Sequence, residues 1–345
     1  MKKFLFKLSY TVLPVFLLLS GLTAYLNLYI RPQATGDLGR LAFIIIGQEY
    51  GQRIEENELK DTFFIKVRET EHLRNIHVNV LTIGDSFSQQ GPAGYQNYMP
   101  QEGLVVANTR RSLYDNPIQY AWNLLDAGIV DSTNIDVMVV EVGERDLPLR
   151  IDNFKTYKVE VGEPDSPDEG GEENFWDIRQ WSLLRTRDFL MYRYVGRNPV
   201  YDVELDRDFF ESNEPRRLYF YYADILNGLT IEESIRPKVK EVFHLLTAKA
   251  HERGFALILM VPVDKYDLYQ DYIVDNPYDH PKRINEDVRE LLGDIPEVML
   301  CKYTLKPLLE QNEKDVFLFN NSHWSYKASE AVGKELSRRV KVLMR

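Results

Sequence analysis

The stretch His77-Val78-Asn79-Val80-Leu81-Thr82-Ile83-Gly84-Asp85-Ser86-Phe87-Ser88 reads as a buried strand that stops at a glycine and presents a serine. Val78, Val80, Leu81 and Ile83 form a short, largely β-branched apolar run, the composition of a strand covered on both faces. Gly84 permits a sharp turn where a side chain would obstruct it. Ser86 then falls just past the carboxyl end of the strand, where open α/β sheets keep their ligand sites. An ordinary strand-to-helix turn, with Asp85 or Ser86 capping the next helix, also fits this stretch taken alone. A second stretch near the other end adds weight to a functional reading: Phe319-Asn320-Asn321-Ser322-His323-Trp324-Ser325. A serine after the first strand and a histidine before the last helix can meet at one sheet edge.

Four more strand-like runs follow outward from the first: Leu104 to Ala107, Val137 to Val142, Ala256 to Val261 and Val298 to Cys301. Helical stretches separate them. One opens at Pro117, a residue favoured at N1, and runs to about Ala127. Another, Ile235 to Arg253, puts Val239, Val242, Phe243, Leu246 and Ala250 on one face and ends at Gly254. Ile284 to Leu292 and Ser325 to Met344 complete the set. The alternation predicts an α/β fold: one five-stranded parallel sheet in the order 2-1-3-4-5, with right-handed crossovers and helices on both faces. That is a three-layer, flavodoxin-like sandwich. Cys301 is the only cysteine and reads as a small buried core residue.

Ahead of the sandwich, Lys2, Lys3 and Lys7 precede about twenty mostly apolar residues, Thr11 to Ile30, a length that spans a bilayer. The lysines are expected to stay cytoplasmic and send the rest of the chain outward. A cleaved signal peptide is the competing reading, disfavoured because Leu22 fills the position two before Ala24. The expected layout is a cytoplasmic start at 1–10, one transmembrane helix at 11–30, a juxtamembrane segment at 31–76 and a globular domain at 77–345. Within the juxtamembrane segment, Leu41 to Ile46 is apolar and either lies on the membrane or packs on the domain. Glu55 to Arg74 is charged and helix-like. An insertion at about 152–234 begins with an acidic, glycine-rich stretch at 159–174, read as an exposed loop. It continues with many aromatics, which serve as core or as a sugar-stacking surface.

The net charge of −11 argues against a nucleic-acid partner, which needs basic surface for phosphates. No Walker, dinucleotide or zinc-ligand pattern is present, so neither a cofactor nor a metal is expected. Serine chemistry needs a nucleophile, a base, a group that orients the base, and donors for the oxyanion. Ser86 is the candidate nucleophile and His323 the candidate base.

Gly84-Asp85-Ser86-Phe87-Ser88 together with Ser322-His323-Trp324 resembles the SGNH (GDSL-like) hydrolase superfamily. More narrowly it resembles the SGNH-like O-acyltransferases, the alginate O-acetyltransferase and DHHW groups. Val142-Gly143-Glu144-Arg145 is similar to that group's Glu-Arg pair after the third strand. Val261-Pro262-Val263-Asp264-Lys265-Tyr266 is similar to its Val-Pro-x-x-Lys stretch after the fourth. The serine-first order matches the SGNH and DHHW arrangement. The family's orienting aspartate precedes its histidine by two or three residues, where this chain has Asn321 and Asn320. An asparagine orients the ring and brings no charge. Asp315 is the nearby acid that could substitute. The SGNH asparagine after the third strand is replaced by Glu144 and Arg145, which leaves the Ser86 backbone N–H, Asn108 and Arg145 as candidate oxyanion donors. Asp85, Glu144 and Lys265 are further candidates for binding the oxyanion or substrate at the same strand ends.

The resemblance implies a membrane-anchored, extracytoplasmic O-acyltransferase or esterase. It would act on cell-surface polysaccharide and take its acyl group from a membrane acyltransferase partner. The competing reading is a degenerate SGNH-like domain that binds glycan or a partner in an envelope assembly.

Overall fold

The structure, a computed structural model, describes residues 2–42, 44, 48–157, 159, 186–187, 190, 200–278 and 281–345. Eight strands are described, numbered in chain order: β1 (Ile65–Val67), β2 (Val80–Gly84), β3 (Val106–Thr109), β4 (Val137–Glu141), β5 (Val200–Glu204), β6 (Arg217–Tyr221), β7 (Ala256–Val261) and β8 (Val298–Leu300). Six form one sheet in the order β1-β3-β2-β4-β7-β8, with every neighbouring pair parallel. The expected order of five strands is found, and a sixth strand extends it.

That sixth strand corrects the helical expectation for Glu55 to Arg74. The charged helix ends at Asn57, β1 follows, and Thr70–Asn75 is a 3-10 turn. The β-branched Ile65 and Val67 give the run its strand character, and with Lys66 they pair with β3. At three residues, flanked by charge, the run is too short to show a period. Lys66 and the half-exposed Ile65 occupy an outer edge, where a short strand is what folds tolerate.

Alternate residues of the central strands feed two separate cores. Val80, Val137, Val139, Ile258, Met260 and Met299 face the core completed by Ala328, Val332, Leu336 and Val340 of the Tyr326–Leu343 helix. Leu81, Ile83, Met138, Val140, Leu257 and Leu259 face the core completed by the Pro117–Asp126 and Arg236–Glu252 helices. A period of two on strands buried on both faces is the signature of a covered parallel sheet. Asn116 caps the first of these helices, its side-chain oxygen accepting from the Ile118 and Gln119 backbone N–H groups at 3.0 and 3.4 Å. Cys301 is buried, but it starts a helix (Cys301–Glu310) instead of ending a strand.

At the amino end, Lys2–Tyr25 is one helix and Leu26–Ile30 continues it as a π turn. Ser9–Gln33 is long and apolar enough to cross a membrane. Val12, Leu13, Phe16, Leu17 and Leu18 are each more than half exposed. The next segment packs on the domain: Leu38, Ala42, Ile44 and Tyr50 enter the same core as the Tyr326–Leu343 helix. β5 and β6 form a separate antiparallel hairpin in the insertion. Most of the acidic stretch, and the aromatics Phe175, Trp176, Trp181, Tyr192 and Tyr194, lie outside the described residues.

Candidate functional site

The Ser86 turn is held from behind. A side chain on Gly84 would collide with the Glu141 carboxyl and the Ser88 hydroxyl, so the glycine is required by close packing and not by a left-handed turn. Ser88 Oγ donates to Glu141 Oε2 at 2.6 Å and lies 3.0 Å from the Tyr95 hydroxyl. Asn108, on β3, donates from its side-chain amide to the Ser88 carbonyl at 2.7 Å, and its oxygen accepts from Thr82 Oγ1 at 2.7 Å. Asn108 therefore pins the Ser86–Gln89 turn. Asp85 is buried and its Oδ2 accepts the Gly143 N–H at 3.3 Å, tying the exits of β2 and β4 together. Burial pushes the Asp85 carboxyl up, against the pull of Arg150. Ser86 itself is half-buried. Among the described residues neither its hydroxyl nor its backbone N–H has a hydrogen-bond partner.

The histidine loop comes from the far end of the chain and lies against this turn. The ring of Phe87, next to Ser86, is 5.0 Å from the His323 ring and 4.4 Å from Trp324. Gln90 Nε2 donates to the Trp324 carbonyl at 3.2 Å. Ser325 caps the closing helix by accepting from the Lys327 N–H at 3.2 Å, which sets where the loop must stop. Phe319 anchors the start of the loop between Tyr50, Phe210 and Tyr219, with ring centroids 5.2 to 6.2 Å away. The aromatics of the hairpin thus serve as a wall behind the loop.

Asn321 fixes the imidazole. Its side-chain oxygen lies 3.1 Å from the His323 backbone N–H and 2.8 Å from His323 Nδ1. A backbone N–H only donates, so the atom facing it is the amide oxygen. Nδ1 faces that same oxygen and must carry the proton. Nε2 is then the ring nitrogen that carries the lone pair.

Lys265 lies against the loop, whereas Glu144 and Arg145 bond to other segments. Lys265 is fully buried, and its Nζ donates to the carbonyls of Leu318, Phe319 and Asn321 at 2.7, 2.9 and 3.1 Å. Burial pushes it down to about 7, opposed by the Asp37, Asp224 and Asp315 carboxylates. Glu144 is fully buried and accepts the backbone N–H groups of Asp264 at 2.9 Å and Asn285 at 3.3 Å. It stitches the loop after β4 to the loop after β7. Arg145 donates to Asp224 Oδ1 at 2.7 Å and stacks 5.2 Å from the Tyr221 ring centroid. Asp224 holds the guanidinium charged.

Two groups at this site escaped the sequence reading. Asp37, from the segment after the apolar helix, places Oδ2 3.6 Å from His323 Nδ1, and its Oδ1 accepts the Ser322 N–H at 2.7 Å. Asp315 is engaged elsewhere, accepting from the Tyr50 hydroxyl at 3.0 Å and the Glu211 N–H at 3.3 Å. The second group is Glu141, buried at the end of β4, whose carboxyl burial and the nearby Asp85 push up to about 8. Asp37 carries no spacing signal, because it lies at the other end of the chain from the histidine. Glu141 reads in sequence as the polar end of a strand. Among the described residues no cluster of metal-ligating side chains is present.

No family model matches the chain, and no curated protein gives a significant match.

Proposed function

We propose that this chain is a membrane-anchored, extracytoplasmic O-acyltransferase or esterase of SGNH-like architecture that modifies cell-surface polysaccharide through a serine acyl-enzyme. The observation that carries the reading is the 2.8 Å pairing of Asn321 Oδ1 with His323 Nδ1, which makes Nε2 the unprotonated nitrogen of a ring packed on Phe87, next to Ser86. Ser86 Oγ attacks the acyl carbonyl and its proton passes to His323 Nε2. The donor alcohol leaves with that proton. A glycan hydroxyl or water then attacks the acyl-serine, giving its proton to Nε2, and Ser86 Oγ recovers the proton as the new ester or free acid departs. The Ser86 N–H is one oxyanion donor, free to receive the developing charge. A membrane acyltransferase supplies the acyl group, which accounts for the apolar helix ahead of the domain.

A second reading, a glycan- or partner-binding domain without turnover, is favoured by one specific observation. Asn108 and Arg145, the side-chain candidates for the oxyanion, are engaged by Ser88 and Asp224. Acid quenching of the full-length protein with a small acetyl ester separates the two. An acetyl group on the Ser86 peptide, absent from Ser86→Ala, supports the enzyme. No acetylation at Ser86 leaves the binding domain.

A further inference from the structure

We infer that the juxtamembrane segment completes the site, with Asp37 as a positioning residue whose carboxylate faces Nδ1 of His323 in place of the acid that the histidine loop lacks. The inference rests on reading Ser86 and His323 as nucleophile and base.

The two asparagines before His323 divide the work. Asn321 turns inward and holds the ring. Asn320 turns outward and holds the segment: its side-chain amide donates to the Thr35 carbonyl at 2.5 Å and to Thr35 Oγ1 at 2.9 Å, and its own carbonyl accepts the Gly39 N–H at 2.9 Å. Gly36, at φ +73°, lies so close to the Asn320 backbone that a side chain there would collide with it. Further along, Tyr50 donates to Asp315 and accepts the Phe319 N–H at 3.0 Å. The segment is thereby clamped to the histidine loop at both ends.

Within the clamp Asp37 is oriented by three donors. Its Oδ1 accepts the Leu38 and Ser322 backbone N–H groups at 2.6 and 2.7 Å, and Oδ2 accepts the Ser322 hydroxyl. Oδ2 also points at Nδ1, 3.6 Å away, on the same nitrogen that Asn321 engages. The other charged groups near the loop act elsewhere: Lys265 is bonded to backbone carbonyls, and Asp315 to Tyr50 and Glu211. An asparagine fixes a tautomer but cannot stabilise an imidazolium, whereas a carboxylate beside it does. Asn321 supplies the orientation and Asp37 the charge. Turnover is then tied to the stretch that joins the domain to the apolar helix.

The test uses the full-length chain in detergent micelles, with histidine ring carbons labelled and His323 assigned through His323→Gln. Asp37→Asn is expected to move the His323 titration midpoint down by about one pH unit. It is also expected to lower kcat on a small acetyl ester about tenfold with KM unchanged. Asp37→Glu is expected to restore part of both. Ser322→Ala removes the hydroxyl contact but keeps the charge, and is expected to leave the midpoint in place. A folded Asp37→Asn protein with an unmoved midpoint overturns the inference. Should Asp37→Asn not fold, Asp37→Ser is judged by the same criterion. Absence of Ser86-dependent turnover in the parent would defeat the enzyme reading alone, because the titration still reports whether Asp37 acts on His323.

Discussion

The side-chain oxygen of Asn321 accepts two hydrogen bonds from a single residue, His323: one from its backbone N–H at 3.1 Å and one from ring Nδ1 at 2.8 Å. The first bond fixes which atom of the amide faces the histidine, and the second then fixes which ring nitrogen carries the proton. Asn321→Ala removes both. Losing the ring bond is worth about 1 kcal/mol, so kcat on a small acetyl ester is expected to fall roughly fivefold with little change in KM. Asn321→Asp keeps the accepting oxygen and adds charge. It is expected to exceed the parent rate by less than tenfold, since Asp37 already faces the ring. Steady-state kinetics on the three proteins checks the order; an Asn321→Ala rate equal to the parent's would show that the ring needs no such support.

Gly36 is the point where the segment after the apolar helix and the histidine loop meet backbone to backbone. Gly36→Ala strains a left-handed residue and drives a side chain into the Asn320 carbonyl. We expect a loss of about 1–3 kcal/mol together with reduced esterase rate, because the clamp that carries Asp37 opens. Gly103→Ala is the control: its φ is +82° and nothing lies within 4 Å of the added carbon. It is expected to lose about 1 kcal/mol and retain the parent rate. Denaturant melts and initial rates on both variants separate backbone strain from the clamp.

The layout of the sheet was legible because each strand is a short apolar run bounded by a turn signal, and alternation with amphipathic helices leaves few topologies. Ala256–Val261 and Ile284–Leu292 fall where the pattern places them. Ser86 falls just past the end of β2, as read, whereas a helix, Cys301–Glu310, separates the last strand from the His323 loop. Apart from Asn321, read as orienting the ring, the roles of the groups around them were not legible. Lys265 serves three carbonyls and Glu144 two backbone N–H groups, roles that depend on burial and carry no periodicity. Asn108 and Arg145 have the right residue types for donors but are used by Ser88 and Asp224, which sequence spacing does not reveal. β1 escaped notice because three residues cannot display a period.

The exposed apolar side chains along Ser9–Gln33 lead to a prediction about location. Val12, Leu13, Phe16 and Leu17 together present a face that water does not favour and a bilayer does. The protein is expected to sediment with membranes and to resist extraction by high salt. A reporter that works only outside the cytoplasm is expected to be active when fused after Arg345, as the amino-terminal lysines require. Activity of a cytoplasm-only reporter at that position would reverse the orientation.

The last prediction concerns the carboxyl behind the Ser86 turn. Glu141 is fully buried, accepts from Ser88 and lies near the buried Asp85, and its carboxyl is pushed from the ordinary range up to about 8. Desolvation is the main cause and the Asp85 charge adds to it. A raised native pKa means that the folded protein binds more protons than the unfolded chain between about pH 4.5 and pH 8. The stabilisation is present below the unfolded pKa and is lost as pH rises through the folded one. Stability is therefore expected to fall across that window, by up to about 1.4 kcal/mol per pH unit. Asp85, also raised, acts in the same direction. Glu141→Gln keeps an acceptor for the Ser88 hydroxyl and cannot ionise. Its unfolding free energy is expected to be less dependent on pH than the parent's and to exceed it above pH 8. Urea melts of both proteins at pH 5, 7 and 9 provide the check. Parallel curves would mean that Glu141 is ionised in the fold throughout, and that a fixed negative charge lies behind the serine turn.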